Sequence, residues 1–572
     1  MRYHVLACDY DETLATKGEV PQATTEALER VSRSGRKLIL VTGRELDDLL
    51  GHLPSAELFD LIVAENGALL YDPGQRTRDA LAQPPPVEFV NRLREKGATP
   101  LGAGHVIVAT REPYGTDVLE AIRDLGLELQ VIHNKGAVMV LPPGVNKATG
   151  LAAALERLDV SPHNVVAVGD AENDHAFLTT AECGAAVANA LPSLKERCDL
   201  LLSKEAGEGV TELAELLLAT DLDGVEVGRR HVLLGHHEER EVRLVPYGTG
   251  LAVAGPSGSG KSTVTTALLE RLTEAEYQCV VIDPEGDYSE YPDANVLGDT
   301  KRAPSVEEVL RLLEPPRQNV VVNLIGLALR DRPAFFAELL PRLSSLRARL
   351  GHPHWVIVDE AHHLMPAELS EVPLKDPRDV GSLMLITVHP EALSPAALRL
   401  VNSVIAVGPD GDQTLAAFAE PLHRPAPTQE GDEGDIALWH TDADRAERVK
   451  LLPGRTERSR HRRKYAAGTM SKEKSFYFTG PDDRMRLRAR NLHTFVELAE
   501  GVDDETWLHH LGRGDYSAWI RESLGDDELA EEVAGVEAEK DPAAEDSRRR
   551  VAEMIDERYT LPAEPTDHDP DH

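Results

Sequence analysis

Eight residues, Gly255-Pro256-Ser257-Gly258-Ser259-Gly260-Lys261-Ser262, fit the pattern GxxxxGK[ST] and stand between an apolar run, Leu251 to Ala254, and a helical stretch that reaches about Leu272. Such a pattern works at a strand–loop–helix corner, where successive backbone N–H groups surround a phosphate. Gly255 through Ser262, with Thr263 behind them, are therefore expected to bind nucleotide. Lys261 would reach the β and γ phosphates and Ser262 would hold Mg²⁺. A second apolar run, His354 to Val358, ends in Asp359-Glu360-Ala361-His362-His363. Asp359 fits an acid that holds magnesium, and Glu360 fits a base that polarises an attacking water. Adjacent acids of this kind favour hydrolysis over transfer to a second substrate.

A different pair of acids lies near the start of the chain. Asp9-Tyr10-Asp11-Glu12-Thr13 follows a β-rich run, so both carboxylates fall past the carboxyl end of a strand, where open α/β sheets place ligands. Val41-Thr42-Gly43-Arg44 ends another such run with a hydroxyl suited to a phosphoryl oxygen. Lys147, in Gly144-Val145-Asn146-Lys147, offers a cation, and Gly169-Asp170-Ala171-Glu172-Asn173-Asp174 follows a fourth run with more acid.

Those four pieces, in that order and over about 220 residues, resemble the motifs of the haloacid-dehalogenase phosphatase superfamily. The insert between the second and third pieces resembles the cap of its Cof-like branch. The resemblance implies that Asp9 attacks phosphorus to form an aspartyl-phosphate, and that Asp11 protonates the leaving oxygen and then activates water. It implies that Thr42 and Lys147 hold the phosphoryl oxygens. It also implies that Mg²⁺ is held by Asp9, the Asp11 backbone carbonyl and Asp170, with Asp174 in support, a hard oxygen set suited to that ion. Glu12 replaces the glycine usual at its place. Asn66 and Gly67 match a loop near that site and are read as structural; Cys8 is read as a packed strand residue.

Val281-Ile282-Asp283-Pro284-Glu285-Gly286-Asp287-Tyr288, together with Val356 to His362, resembles HerA-type ATPases of the FtsK/HerA clan, which are motor-like and usually hexameric on DNA. This chain departs from them in having only about 25 residues where a β-barrel normally precedes the loop. It also has Ile386-Thr387-Val388-His389 where a sensor glutamine is usual. His389 as sensor and Arg399 as a finger into a neighbouring subunit stand beside their blander readings as loop and solvated helix residues.

The alternation of β-rich and helical segments implies an α/β multidomain chain. We expect a Rossmannoid phosphatase domain at 1–220 with a small α/β cap at about 71–143, a P-loop domain at 225–450 and a basic linker at 451–470. A small, mainly helical domain at 471–540 and an acidic, partly disordered tail at 541–572 follow. The formal net charge of −37, from 98 acidic and 61 basic residues, repels phosphate backbones unless cations are concentrated locally. Arg455 to Lys464 and the alternating Arg484, Arg486, Arg488 and Arg490 are such concentrations; a linker and a solvated face are the competing reading. Four scattered cysteines without CxxC spacing, and no run approaching the roughly 20 apolar residues of a bilayer span, lead us to expect a cytoplasmic chain and no membrane partner.

The leading reading is a bifunctional enzyme whose phosphatase takes a small phosphorylated metabolite and whose partners are that metabolite, ATP and further copies of itself. Nucleic-acid end repair, a DNA-linked motor or defence assembly, and a scaffold with inactive sites are the rivals. The paired acids and the cap argue against end repair.

Overall fold

The computed structural model describes residues 1–134, 136–256, 258–289, 291–369, 371–408, 411–431, 434–454, 475–481, 484–524, 527–540 and 542–559. Ser257, most of the basic linker and the end of the acidic tail lie outside them. The chain divides into two compact units, Met1–Leu452 and Pro453–His572.

The first unit begins with a strand, Val5–Asp9, apolar and buried on both faces as a central parallel strand must be. It lies between Val165–Gly169 and Lys37–Val41 in a sheet ordered Leu200–Leu201, Cys183–Ala186, Val165–Gly169, Val5–Asp9, Lys37–Val41, Leu61–Ala64, Leu69–Asp72 and Thr77–Ala80. The first six strands are parallel and the last two form an antiparallel hairpin. That hairpin continues the core sheet because its backbone pairs with Leu61–Ala64. Helix Gln22–Arg33 buries Ala27, Leu28 and Val31 on this sheet beside helix Ala206–Thr220.

The cap is a second layer, an antiparallel sheet ordered Gly102–Ala103, Val108–Arg111, Ala137–Leu141 and Gln130–Asn134. Helices Val87–Glu95 and Gly115–Asp124 close one face of it with Phe89, Leu93, Val118 and Ala121.

The second sheet of this unit holds seven parallel strands in the order Ser403–Val407, Gly250–Ala254, Ser382–Thr387, Trp355–Val358, Cys279–Asp283, Asn319–Asn323 and Ala294–Leu297. Helix Lys261–Glu274 leaves the end of Gly250–Ala254. Beyond Ser403–Val407 the sheet turns antiparallel through Ile436–His440, Arg445–Leu451, Val232–His237 and Arg240–Leu244. The strands ahead of the glycine-rich loop thus pair with ones two hundred residues later. Both faces carry a hydrophobic core.

The second unit packs a two-stranded ribbon, Phe476–Phe478 with Leu487–Ala489, against helices that include Leu492–Gly501, Asp504–Leu511, Asp527–Glu537 and Ala544–Tyr559. Its centre is aromatic: Phe476, Phe478, Phe495, Trp507, Tyr516 and Trp519. The mainly helical domain expected from the spacing of apolar residues is present. Among the described residues, no helix is long and apolar enough to cross a membrane.

Candidate active sites

Parallel pairing aligns the ends of three strands and so assembles the first site. Asp9 is paired in register with Val41, and Cys8 with Val168, which sets Thr42 and Asp170 on either side of Asp9. Lys147 arrives from a fourth direction as the first residue of helix Lys147–Arg157, whose start is fixed by Asn146 accepting hydrogen bonds from the N–H groups of Ala148 and Thr149. Asp9, Thr42, Lys147 and Asp170 are buried, whereas Asp11 is half-buried.

The Lys147 ammonium bridges two carboxylates, donating to Asp9 and, at 2.5 Å, to Asp174 Oδ1. Asp174 Oδ2 accepts from the backbone N–H groups of Asp170 (2.9 Å) and Ala171 (2.8 Å). Thr13 donates to Asp170 Oδ1 at 3.3 Å. Carboxylate oxygens of Asp9, Asp170 and Asp174 lie within 4.8 Å of one another, a hard donor set that fits a divalent cation. Burial and the Asp174 charge push Asp9 up to about 8 against the pull of Lys147. Burial pulls Lys147 down, yet Asp174 and Asp9 outweigh it and leave the ammonium above its ordinary value. Asp174 thus has both oxygens engaged and acts on its neighbours' positions.

Asp11 stands apart. Its carboxylate is gripped by Arg44, whose Nη2 lies 2.7 Å and Nε 2.9 Å from it, while the guanidinium rests over the Tyr10 ring. Thr42 Oγ1 accepts the Arg44 N–H at 3.1 Å. The loop after Leu61–Ala64 is the part that sequence reading undervalued. Glu65, Asn66 and Gly67 all have positive φ, and Asn66 accepts a hydrogen bond from Asn173 at 3.2 Å while its own Nδ2 is buried with no hydrogen-bond partner among the described residues.

The second site forms at the ends of Gly250–Ala254 and Trp355–Val358. Lys261 is buried and donates to the carbonyls of Gly255 (2.9 Å) and Pro256 (2.8 Å) within its own loop, while Ser262 and Thr263 open the helix. Gly258 and Gly260 have positive φ, and Ser259 Oγ is buried without a hydrogen-bond partner among the described residues. Burial, then the charges of Glu360 and Asp283, push Asp359 up to about 8. Asp283 takes the N–H groups of Gly286, Asp287 and Tyr288 on its carboxylate; burial still holds it at about 6.

Glu360 adopts a left-handed backbone (φ 40°), and its Oε2 accepts no hydrogen bond among the described residues. His362 Nδ1 is 3.5 Å from that oxygen and 3.2 Å from Thr387 Oγ1. Burial and the neighbouring His363 and His389 rings lower His362 to about 4, so it is neutral near pH 7. His389 comes within 5.7 Å of the His362 ring and pairs with Glu391 at 3.0 Å. Arg399 follows the short helix Pro395–Leu398, exposed and without an ion pair to the described residues. His362 was legible as a histidine beside two acids; its bridging position was not.

In the second unit Arg484, Arg486 and Arg490 are exposed, with Arg484 paired to Asp503 and Glu505 and Arg486 over the Tyr477 ring.

Each site is a cluster of acids and a lysine at the carboxyl ends of parallel strands, which defines a chain with two phosphate-handling α/β modules. The haloacid dehalogenase-like hydrolase family matches residues 6–96 and 104–213, and the AAA domain family matches residues 247–388. A phosphoglycolate phosphatase of Methanothermobacter thermautotrophicus is 30% identical over 215 residues, which are 36% of this chain and 95% of that protein. Phosphoglycolate phosphatase 2 of Saccharolobus solfataricus is 28% identical over 227 residues, 38% of this chain and 92% of its own. A haloacid dehalogenase-like hydrolase structure from Bacteroides thetaiotaomicron covers 38% of this chain and 99% of its own at 19% identity and a TM-score of 0.33. The chain belongs to the haloacid dehalogenase-like hydrolase family through its N-terminal part and carries an AAA domain after it. It is an enzyme with a phosphatase module and an ATPase module.

Proposed function

We propose that the N-terminal module is a magnesium-dependent phosphatase for a small phosphorylated metabolite of the phosphoglycolate or sugar-phosphate class, and that the P-loop module hydrolyses ATP to regulate it. The observation that carries the reading is the buried Asp9–Lys147–Asp174 chain beside Asp170, under a cap. Asp9 attacks phosphorus, splitting one hard displacement into two easier ones. Asp11, released from Arg44 when the substrate's charge competes for the guanidinium, protonates the leaving oxygen and then takes a proton from water. Thr42 and Lys147 hold the phosphoryl oxygens. Asp9, the Asp11 backbone carbonyl and Asp170 would hold Mg²⁺ with Asp174 orienting the group, and the ion supplies positive charge to the phosphoryl oxygens. The names of the relatives favour phosphoglycolate among the candidates.

In the ATPase module Gly255 through Thr263 receive the phosphates, with Ser262 and Asp359 as magnesium ligands. Glu360 polarises the attacking water through Oε2, which accepts no hydrogen bond from the described residues. His362 and Thr387 carry the state of that site towards His389 as sensor. The adjacent acids and the Val281 to Tyr288 segment support a HerA/FtsK-like reading, and Arg399 stands ready for a neighbouring copy's site. We divide the chain into domains at the positions given above and place it in the cytoplasm.

Coupling between the modules is supported by a contact at the far end of the P-loop helix. The phosphatase residue His163 donates from Nε2 to the carbonyl of Ala275, the residue that ends helix Lys261–Glu274, at 2.7 Å. His163 stands two residues before strand Val165–Gly169, which leads to Asp170.

The test is phosphate release, with and without ATP, from phosphoglycolate, sugar phosphates, nucleotides and 3′-phosphorylated DNA by wild type, Asp9→Asn and Lys261→Ala. We expect magnesium-dependent release from the small substrates, lost by at least about a thousandfold in Asp9→Asn, and a response to ATP that Lys261→Ala abolishes. Activity confined to DNA ends or nucleotides would overturn the reading in favour of repair or a DNA-linked motor.

A further inference from the structure

Between the strand Leu61–Ala64 and the hairpin that follows it, three residues turn the chain through consecutive left-handed conformations: Glu65 (φ 54°), Asn66 (φ 55°) and Gly67 (φ 102°). Left-handed backbone at two adjacent non-glycine residues persists only where surrounding bonds hold it, and such positions gather at functional sites. The contacts here run to three other parts of the phosphatase site. Glu65 N–H donates to the Arg44 carbonyl and Asn66 N–H to the Thr42 carbonyl, both at 2.9 Å. A Cβ at Gly67 would stand 1.9 Å from the Asn146 carbonyl oxygen, so the turn lies directly under the residue that starts the Lys147 helix. Asn66 takes the Asn173 amide from the loop that carries Asp170 and Asp174.

The fourth connection leaves the core altogether. The Glu65 carboxylate, wholly buried, accepts three consecutive backbone N–H groups of the cap: His105 on Oε1 at 2.9 Å, Val106 on Oε2 at 2.7 Å and Ile107 on Oε2 at 2.9 Å. Consecutive N–H groups converging on one anion form a compact and directional anchor. The fit is close from the cap side too, because a Cβ on Gly104 would meet Glu65 Oε1 at 2.6 Å. These cap residues lead into strand Val108–Arg111, which pairs with Ala137–Leu141. Met139 on that partner strand reaches within 3.6 Å of where a Cβ of Gly43 would lie, beside Thr42. The cap is thus joined to the core by its two covalent connections and, between them in sequence, by the Glu65 carboxylate, by Arg78 at 2.8 Å from His105 Nε2, and by an apolar cluster of Ala68 with Val106, Ile107 and Met139.

We propose that Glu65 is a positioning residue that fixes the cap over the phosphoryl site and so sets the size of substrate the phosphatase admits. The inference rests on the phosphatase reading above. With the anchor in place the cap cannot swing away without taking three N–H groups, two of them buried, from a buried carboxylate, so the space above Asp9 is limited to a small leaving group. Without it the Arg78 contact and the apolar cluster hold the cap less firmly, and the cap moves more freely on its two covalent strands. Small substrates that draw contacts from the cap then bind worse, while larger ones are no longer turned away.

The test uses the full chain as wild type, Glu65→Gln and Gly104→Ala, the last of which displaces the carboxylate from the cap side. Two readouts are needed. Hydrogen exchange at His105, Val106 and Ile107 reports the anchor itself, and both variants should exchange at least tenfold faster there while the strand Val5–Asp9 keeps its protection. Steady-state phosphate release from phosphoglycolate and from p-nitrophenyl phosphate reports its consequence. We expect the KM for phosphoglycolate to rise about tenfold, kcat for p-nitrophenyl phosphate to hold or rise, and the kcat/KM ratio of the two to fall at least tenfold in both variants. A ratio that stays at the wild-type value although exchange has accelerated would overturn the proposal, as would an equal fall for both substrates. A wild type that releases phosphate from neither substrate would instead overturn the phosphatase reading on which it rests. Should Glu65→Gln fail to fold, Gly104→Ala carries the same comparison.

Discussion

Replacing Glu182 by glutamine perturbs the junction of the two modules at a buried cluster of charges. Glu182 is buried between phosphatase and ATPase, with Arg2 Nη2 at 2.8 Å, His163 Nδ1 at 2.7 Å, Arg230 Nε at 3.4 Å and the Tyr277 hydroxyl at 3.4 Å. Burial alone would push this carboxyl up; His163, Arg2 and Arg230 outweigh it and bring it from 4.5 down to about 2. A folded-state value below the unfolded one means that the ionised form stabilises the fold. The difference corresponds to ~3 kcal/mol, present in full above the unfolded value near pH 4.5 and lost as pH falls through about 2. Removing the charge also leaves two guanidiniums and an imidazole facing a neutral amide, and breaking a buried pair costs about 3–5 kcal/mol. Glu182→Gln should therefore lower the urea stability of this junction by ~3 kcal/mol at pH 7. That deficit should narrow to ~1 kcal/mol by about pH 3 as wild type loses the same charge. Urea unfolding followed by circular dichroism gives the stability. Hydrogen exchange at residues 183–186 and 275–277 identifies the transition in which the junction opens. Equal stability at pH 7, or a deficit that stays constant down to about pH 2.5, would refute the reasoning.

Two further outcomes follow from single residues. Gly67→Ala places a methyl 1.9 Å from the Asn146 carbonyl at a φ of 102°, so it should destabilise the phosphatase module by roughly 1–3 kcal/mol and lower phosphate release by misplacing Lys147; unchanged thermal stability and activity would contradict that. Glu360→Gln should bind ATP as tightly as wild type while hydrolysing it at least about a hundredfold more slowly, measured by nucleotide binding and phosphate release, and retained turnover would remove Glu360 from the role of base.

What could be read in advance was local. Asp9, Thr42, Asp170, Gly255 and Asp359 each end an apolar run of four or five residues, and a run of that length followed by acid, hydroxyl or glycine marks the carboxyl edge of a parallel sheet wherever it occurs. Register then does the assembly: once Cys8 pairs with Val168 and Asp9 with Val41, those side chains must meet. The helical character of the last domain was legible for a similar reason, since Leu492 and Phe495, then Trp507 and Leu511, recur at the three- and four-residue spacing of a helical face. Asp11 was different, because its residue type and place suggested a role but said nothing of Arg44 holding it.

Contacts between distant segments were closed to that kind of reading. Glu65 stands ahead of Asn-Gly at a strand end, and nothing local distinguishes a loop acid facing water from one whose partners are backbone amides forty residues on. Glu182 and His163 stand in separate connections, whereas Glu182 accepts from His163 Nδ1 and the carbonyl that His163 serves belongs to Ala275, 112 residues beyond it. The consequence reaches past the fold. The helix whose first residue is Lys261 ends at Ala275, which His163 holds two residues before Val165–Gly169, and the other end of that strand leads to Asp170. The residues that join the two modules are therefore the ones with the least to show in the sequence, since their chemistry is only that of holding a buried carboxylate and a carbonyl in place.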